Sequence, residues 1–218
     1  MSVGDVRQPG SAAPIRRFVL LLLLPLSLAL AGCATSAPHA KRAVAAAAPG
    51  TTTVRFQAYT PAGRLTVPVQ DVARGQCWTT SIAAPTARAY RCFEGNKILD
   101  PCFAPAHPTS PVQLACLATP WSRALMLQVT DHLPAPSSGG SSSRPWAIEL
   151  SSGLRCVAST GTVPAVAGVN LAYHCTDGGD AALGSVAGAR LTAQYAAPTQ
   201  GPPATTLETM TVTTVWVA

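Results

Sequence analysis

From Val54 to the end of the chain, apolar and polar residues exchange places at every second position. Val54, Phe56 and Ala58 alternate with Arg55, Gln57 and Tyr59. Pro61-Ala62-Gly63 marks a turn, and Leu65, Val67 and Val69 resume the alternation, so this segment predicts a β-hairpin. The same period aligns Leu125, Leu127 and Val129, then Trp146, Ile148 and Leu150, then Leu154, Cys156 and Ala158. It returns in Val169, Leu171, Tyr173 and Cys175, and again in Leu191, Ala193 and Tyr195. The last run sets Met210, Val212 and Trp216 on one face and Thr209, Thr211 and Thr213 on the other. Successive side chains of a strand point to opposite faces, so each run predicts a strand with one buried face. No longer segment carries a helical stripe. The pattern predicts a mainly β domain over residues 54–218, an antiparallel sandwich or barrel. A Ser/Gly-rich tip at 136–143 offers a division into two halves, but each half would own a small core, which favours one domain.

The first 53 residues follow other rules. Arg7, Arg16 and Arg17 form a positive region, and Phe18 to Ala31 is an apolar run broken only by Pro25 and Ser27. A membrane-spanning helix needs about 20 apolar residues, so this run has the length of a secretory leader. It ends in Leu30-Ala31-Gly32-Cys33. That ending, behind such a leader, resembles the lipobox of bacterial lipoprotein precursors. The resemblance covers residues 1–33 and implies a signal peptide over 1–32, lipid on the Cys33 thiol and cleavage before Cys33. One acyl chain binds a membrane marginally and two or more hold it firmly, at about 0.8 kcal/mol per buried CH₂. Residues 33–53 then form the lipidated cysteine and a flexible tether of Ala, Pro and other small residues. An ordinary secretory leader with a chance cysteine near the cut is the bland alternative.

Charge supports this division. The chain carries 15 Lys and Arg against 9 Asp and Glu, net +6. Without Arg7, Arg16, Arg17 and Asp5 of the leader, and Lys41 and Arg42 of the tether, the domain holds 10 basic and 8 acidic residues. The basic balance therefore belongs mostly to leader and tether, and a nucleic-acid partner is not expected. The partners expected are the membrane, through the N-terminal lipid, and an envelope protein or glycan.

With Cys33 assigned to lipid, six cysteines remain: Cys77, Cys92, Cys102, Cys116, Cys156 and Cys175. An even set in an exported chain predicts three disulfides. Cys156 and Cys175 share the apolar phase of consecutive strands and form the best-supported pair. Cys77–Cys92 and Cys102–Cys116 would complete a sequential scheme, one of many that six cysteines allow. Each loop would contribute about 3 kcal/mol in the chain-entropy model. A zinc site is the rival, but the paired short spacings it uses are missing from the sequence.

Other landmarks carry a second resemblance. Cys77-Trp78, Arg91-Cys92, Gly95-Asn96-Lys97-Ile98-Leu99-Asp100-Pro101-Cys102-Phe103, Pro120-Trp121, Pro145-Trp146 and Tyr173-His174-Cys175 follow one another in order. Over about residues 75–176 the chain looks like a family of exported proteins from high-GC bacteria. That resemblance implies an exported disulfide-bonded domain and says nothing about catalysis.

Candidate chemistry is sparse. Gly184-Ser185-Val186-Ala187-Gly188 does not place its serine as a nucleophile elbow requires, and Ser141–Ser143 lie in the flexible tip. His39 falls in the tether, while His107 and His132 sit beside prolines as loop residues. His174 alone stands on an expected strand. Glu94, Asp100, Asp131, Glu149, Asp177 and Asp180 are the candidates for a glycosidase-type carboxylate pair; Asp100, before Pro101, is instead expected to hydrogen-bond a turn, and Asp177-Gly178-Gly179-Asp180 to make one. Phosphate-loop and dinucleotide motifs are missing, and no cofactor or metal is expected. Trp78, Trp121, Trp146 and Trp216 read first as core residues and second as a sugar platform. The expectation is a lipid-anchored, non-enzymatic extracytoplasmic binding or accessory module. Its rivals are a carbohydrate-binding or inhibitor module using exposed tryptophans, and a secreted hydrolase with a non-standard site.

Overall fold

The structure is a computed structural model that describes residues 50–136, 144–187, 190–201 and 203–218. The leader, Cys33, the tether to residue 49, His39 and Ser141–Ser143 lie outside the described residues. The described chain is all β, without a helix.

Five strands, β2 (Val69–Thr80), β3 (Ala89–Glu94), β4 (Lys97–Phe103), β5 (Gln113–Cys116) and β6 (Ala124–Val129), close into a barrel. Neighbours in sequence pair antiparallel, and β6 closes the ring by running parallel to β2. The second half contains β7 (Ala147–Leu150), β8 (Arg155–Ala158), β9 (Ala165–Val166), β10 (Val169–Asn170), β11 (Tyr173–Cys175), β12 (Asp180–Ala187), β13 (Arg190–Ala196) and β14 (Glu208–Val217). Here β14 pairs with both β13 and β7, which closes a circuit of β7, β8, β11, β12, β13 and β14. β9 and β10 form a separate ribbon. Closure leaves few strand edges exposed.

The two rings share a plan. Each holds a strand joined to the next ring strand by a disulfide between directly opposed residues: Cys77–Cys92 from β2 to β3, and Cys156–Cys175 from β8 to β11. Each second cysteine ends an Ala-Tyr-x-Cys run, with Tyr90 or Tyr173 buried beneath it. Each is followed three residues later by a glycine with positive φ, Gly95 at 55° and Gly178 at 89°. A side chain would strain that conformation, so glycine makes the turn back into the next strand. The rings differ in one insertion. β7 stands between β8 and β14, where β2 and β6 meet directly. The third disulfide, Cys102–Cys116, joins β4 to β5. All six cysteines are therefore engaged in the sequential scheme.

The packing follows the alternating pattern. Leu127, Trp146, Ile148, Leu150, Cys156, Tyr173, Cys175, Ala193 and Tyr195 are buried. One large cluster draws on both rings, with Phe103, Leu117 and Ala124 from the first packed with Trp146, Cys156 and Val212 from the second. Phe56 lies 5.0 Å from the Trp146 ring and 5.6 Å from Phe103, measured between centroids. The shared core is the reason neither half stands as a separate compact body.

Two sequence expectations are corrected in detail. The hairpin expected over residues 54–69 is short: Tyr59 and Leu65 make one antiparallel bridge about the Pro61–Gly63 turn, with Thr60 N donating to Arg64 O and Thr66 N to Ala58 O. β1 (Thr52–Arg55) instead runs parallel to β14, so its partner lies at the far end of the chain. Trp216 does not stay in phase with Val212. A register irregularity between Val212 and Thr214 shifts the alternation, and Val215 becomes the buried residue.

Candidate functional site

The site begins with a consequence of strand geometry. Cys77 reaches Cys92 across the first barrel, and Trp78, the next residue on β2, sits at a register irregularity between Cys77 and Thr79 and is turned to solvent. It is 46% exposed, against 1% for Trp146. Phe93 on β3 packs beside it with ring centroids 5.6 Å apart. Ile98 on β4 lies directly opposite Phe93 in register and is also exposed. Trp78, Phe93 and Ile98 thus form a continuous apolar strip on the outside of the barrel.

The strip is held from behind. The Arg91 guanidinium carbon lies 5.6 Å from the Trp78 ring centroid, and the Arg91 side chain is only 12% exposed. The cation therefore backs the indole, and the residue still keeps 46% of its surface in solvent. Arg91 Nη1 donates a hydrogen bond to Thr160 O at 2.9 Å and lies 3.6 Å from Asp100 Oδ2. Asp100 accepts from Ser81 Oγ and from the Ile82 and Ala83 amides, and Ser81 Oγ accepts from Ala84 N at 2.9 Å. Burial raises the Asp100 pKa; the bonds from Ser81, Ile82 and Ala83 and the Arg91 charge oppose that rise. Asp100 sits within β4 and clamps the loop after β2. It is a hydrogen-bonding carboxylate, as expected, but acts on a loop distant in sequence.

Beside the strip opens a cleft of ≈ 440 Å³ between the barrel and β8 and β11 of the second ring. Its charged walls are Asp71, Glu94, Asp100, Lys97 and Arg123, with His174 at the far side. Ser122, Ser159 and Thr160 add hydroxyls, and Ile98 belongs to both strip and cleft. Asp100 is matched by Arg91, so Asp71 and Glu94 face Lys97 and Arg123 in equal number.

Apart from His174, which lines the cleft, the remaining candidates fall elsewhere. His174 Nδ1 lies 3.1 Å from Asp180 Oδ1, but the His174 side chain is 60% exposed. Asp177 accepts a hydrogen bond from the Tyr195 hydroxyl and one from Gly179 N, so it makes the expected turn. Desolvation raises the Tyr195 pKa, and the Asp177 bond and charge raise it further; the Asp177 pKa is lowered, its hydrogen bonds outweighing desolvation. Glu149 pairs with exposed Arg155 at 3.4 Å. His107, Asp131 and His132 are exposed loop residues. Trp121 and Trp216 stack edge to face at 5.2 Å and are half-buried, with Arg155 over Trp121. Among the described residues no group of three His, Cys, Asp or Glu side chains could hold a metal ion.

A second cavity of ≈ 620 Å³ lies near β1, with Phe56, Tyr59 and Phe103 in its wall and Arg55 and Arg88 at its margin. Burial pushes the Tyr59 phenol up to about 12, against a hydrogen bond with the backbone at Ala115. This cavity offers no carboxylate side chain or histidine. No family model matches the chain, no curated protein matches it, and no solved structure matches it.

Proposed function

We propose that the chain is a lipid-anchored, non-catalytic module of the cell envelope, and that it binds through the Trp78 strip and the adjoining cleft. The anchor rests on the lipobox resemblance at Cys33 and on the tether that follows it. Three disulfides are compatible with a location outside the cytoplasm. The single observation that carries the binding reading is Trp78 itself: a large aromatic side chain left in solvent while backed by a nearly buried arginine. Tryptophan is enriched among residues that dominate binding energy, and rigid presentation lowers the entropic cost of association.

Sedimentation with isolated envelopes tests both halves. The chain from Ala34 to Ala218, without its lipid, should co-sediment with host envelopes saturably. The Trp78→Ala protein should lose most of that retention, with affinity falling about tenfold or more. Undiminished retention of the Trp78→Ala protein contradicts the binding face. For the anchor, the N-terminal peptide of the mature native protein should carry acyl mass on Cys33. An unmodified Cys33 in that peptide contradicts the anchor and leaves the binding face standing.

A further inference from the structure

We infer that the ligand of this face is a neutral glycan whose flat pyranose rings stack on Trp78 while their hydroxyls enter the cleft beside Ile98; the inference rests on the binding face proposed above. Three properties of the site point to that class. The first is shape. Trp78 is 46% exposed, with Arg91 over its ring and Phe93 beside it. Phe93 and Ile98 extend that apolar surface sideways across β3 and β4. A pyranose with equatorial substituents has a flat face of axial C–H groups, which suits an extended aromatic surface.

The second is charge. With Asp100 matched by Arg91, the cleft presents Asp71 and Glu94 against Lys97 and Arg123. Nucleic acid or another polyanion would meet two carboxylates there, and a polycation two bases. An uncharged ligand rich in hydroxyls meets donors and acceptors in balance. Polar side chains of both kinds can each bond a sugar hydroxyl, which donates and accepts at once.

The third is rigidity. The platform is fixed by a disulfide one residue away, Cys77–Cys92, and by the chain of contacts from Trp78 through Arg91 to Asp100 and Ser81. Saccharides gain little from each hydroxyl exchanged from water to protein, so a surface that loses little entropy on binding is needed for useful affinity.

The test uses the mature lipoprotein in detergent micelles and the indole N–H resonances of its tryptophans, with Trp78 identified through the Trp78→Phe protein. The probes are chitotetraose and cellotetraose as neutral chains, tetragalacturonate as an anionic chain, and an octaproline peptide. A neutral tetrasaccharide should shift the Trp78 resonance saturably and leave buried Trp146 unmoved. Tetragalacturonate should bind about tenfold more weakly or worse. Ile98→Glu, at an exposed position, should weaken binding of the neutral chain by about tenfold while leaving the urea midpoint of the protein near that of the native chain. A Trp78 shift with octaproline and with neither neutral saccharide overturns the glycan class and supports the face. A silent Trp78 with every probe also overturns the glycan class. Whether the face survives is then decided by the envelope sedimentation of the Trp78→Ala protein.

Discussion

Replacing Asp100 with alanine should destabilise the domain by about 3 kcal/mol or somewhat more, the range for removing one partner of a buried ion pair. The carboxylate is buried and serves four groups at once: Arg91, the Ser81 hydroxyl and the amides of Ile82 and Ala83. Its loss takes an acceptor from each of those donors, of which Arg91 keeps its bond to Thr160 O. The effect should depend on pH in a definite direction. Desolvation raises the folded-state pKa of Asp100 above the unfolded value. A carboxyl shifted upward contributes most below its unfolded pKa of about 4, and part of that contribution fades as pH rises through the folded value. The gap between the native and Asp100→Ala proteins should therefore be wider at pH 3 than at pH 7. Urea unfolding at the two pH values measures it. Equal stability of the two proteins, or a gap that widens toward neutrality, contradicts the role given to Asp100.

Loss of the Cys156–Cys175 bond should have an effect of similar size. The bond joins opposed residues of β8 and β11 across a sequence separation of 19. Both cysteines are buried within the large shared cluster. The Cys156→Ala/Cys175→Ala protein should lose about 2–5 kcal/mol, chiefly through the freedom its unfolded chain regains. The urea midpoint should fall accordingly. Because β8 and β11 wall the cleft, the same protein should lose affinity as well as stability. An unchanged midpoint contradicts the staple.

The strand phases were legible because one face of each strand must be buried. Leu127, Ile148, Cys156, Tyr173 and Ala193 all fall where a period of two puts them. The partner of each strand was not legible. The pairing of β1 with β14 joins the two ends of the domain, and nothing in the local pattern of Val54 or Phe56 encodes it. Trp216 was misplaced because a bulge breaks the period at a point that side-chain type does not announce. Trp78 was misplaced for the same reason: the register of β2 against β3 breaks between Cys77 and Thr79, at Trp78 itself. The cleft could not be read at all, since it gathers Asp71, Glu94, Arg123, Thr160 and His174 from both rings. The repeated Ala-Tyr-x-Cys and glycine turn were visible as letters, but their meaning needed the two closed rings.

The most direct test of the account is hydroxyl-radical footprinting of the mature protein, with and without isolated host envelopes. Indole and phenyl rings oxidise readily when exposed, so the method reports the proposed face residue by residue. Binding through that face predicts strong protection of Trp78 and Phe93, with Trp121, Met210 and Trp216 oxidised as before. Unchanged oxidation of Trp78 in the presence of saturating envelope, with protection elsewhere on the domain, would contradict it.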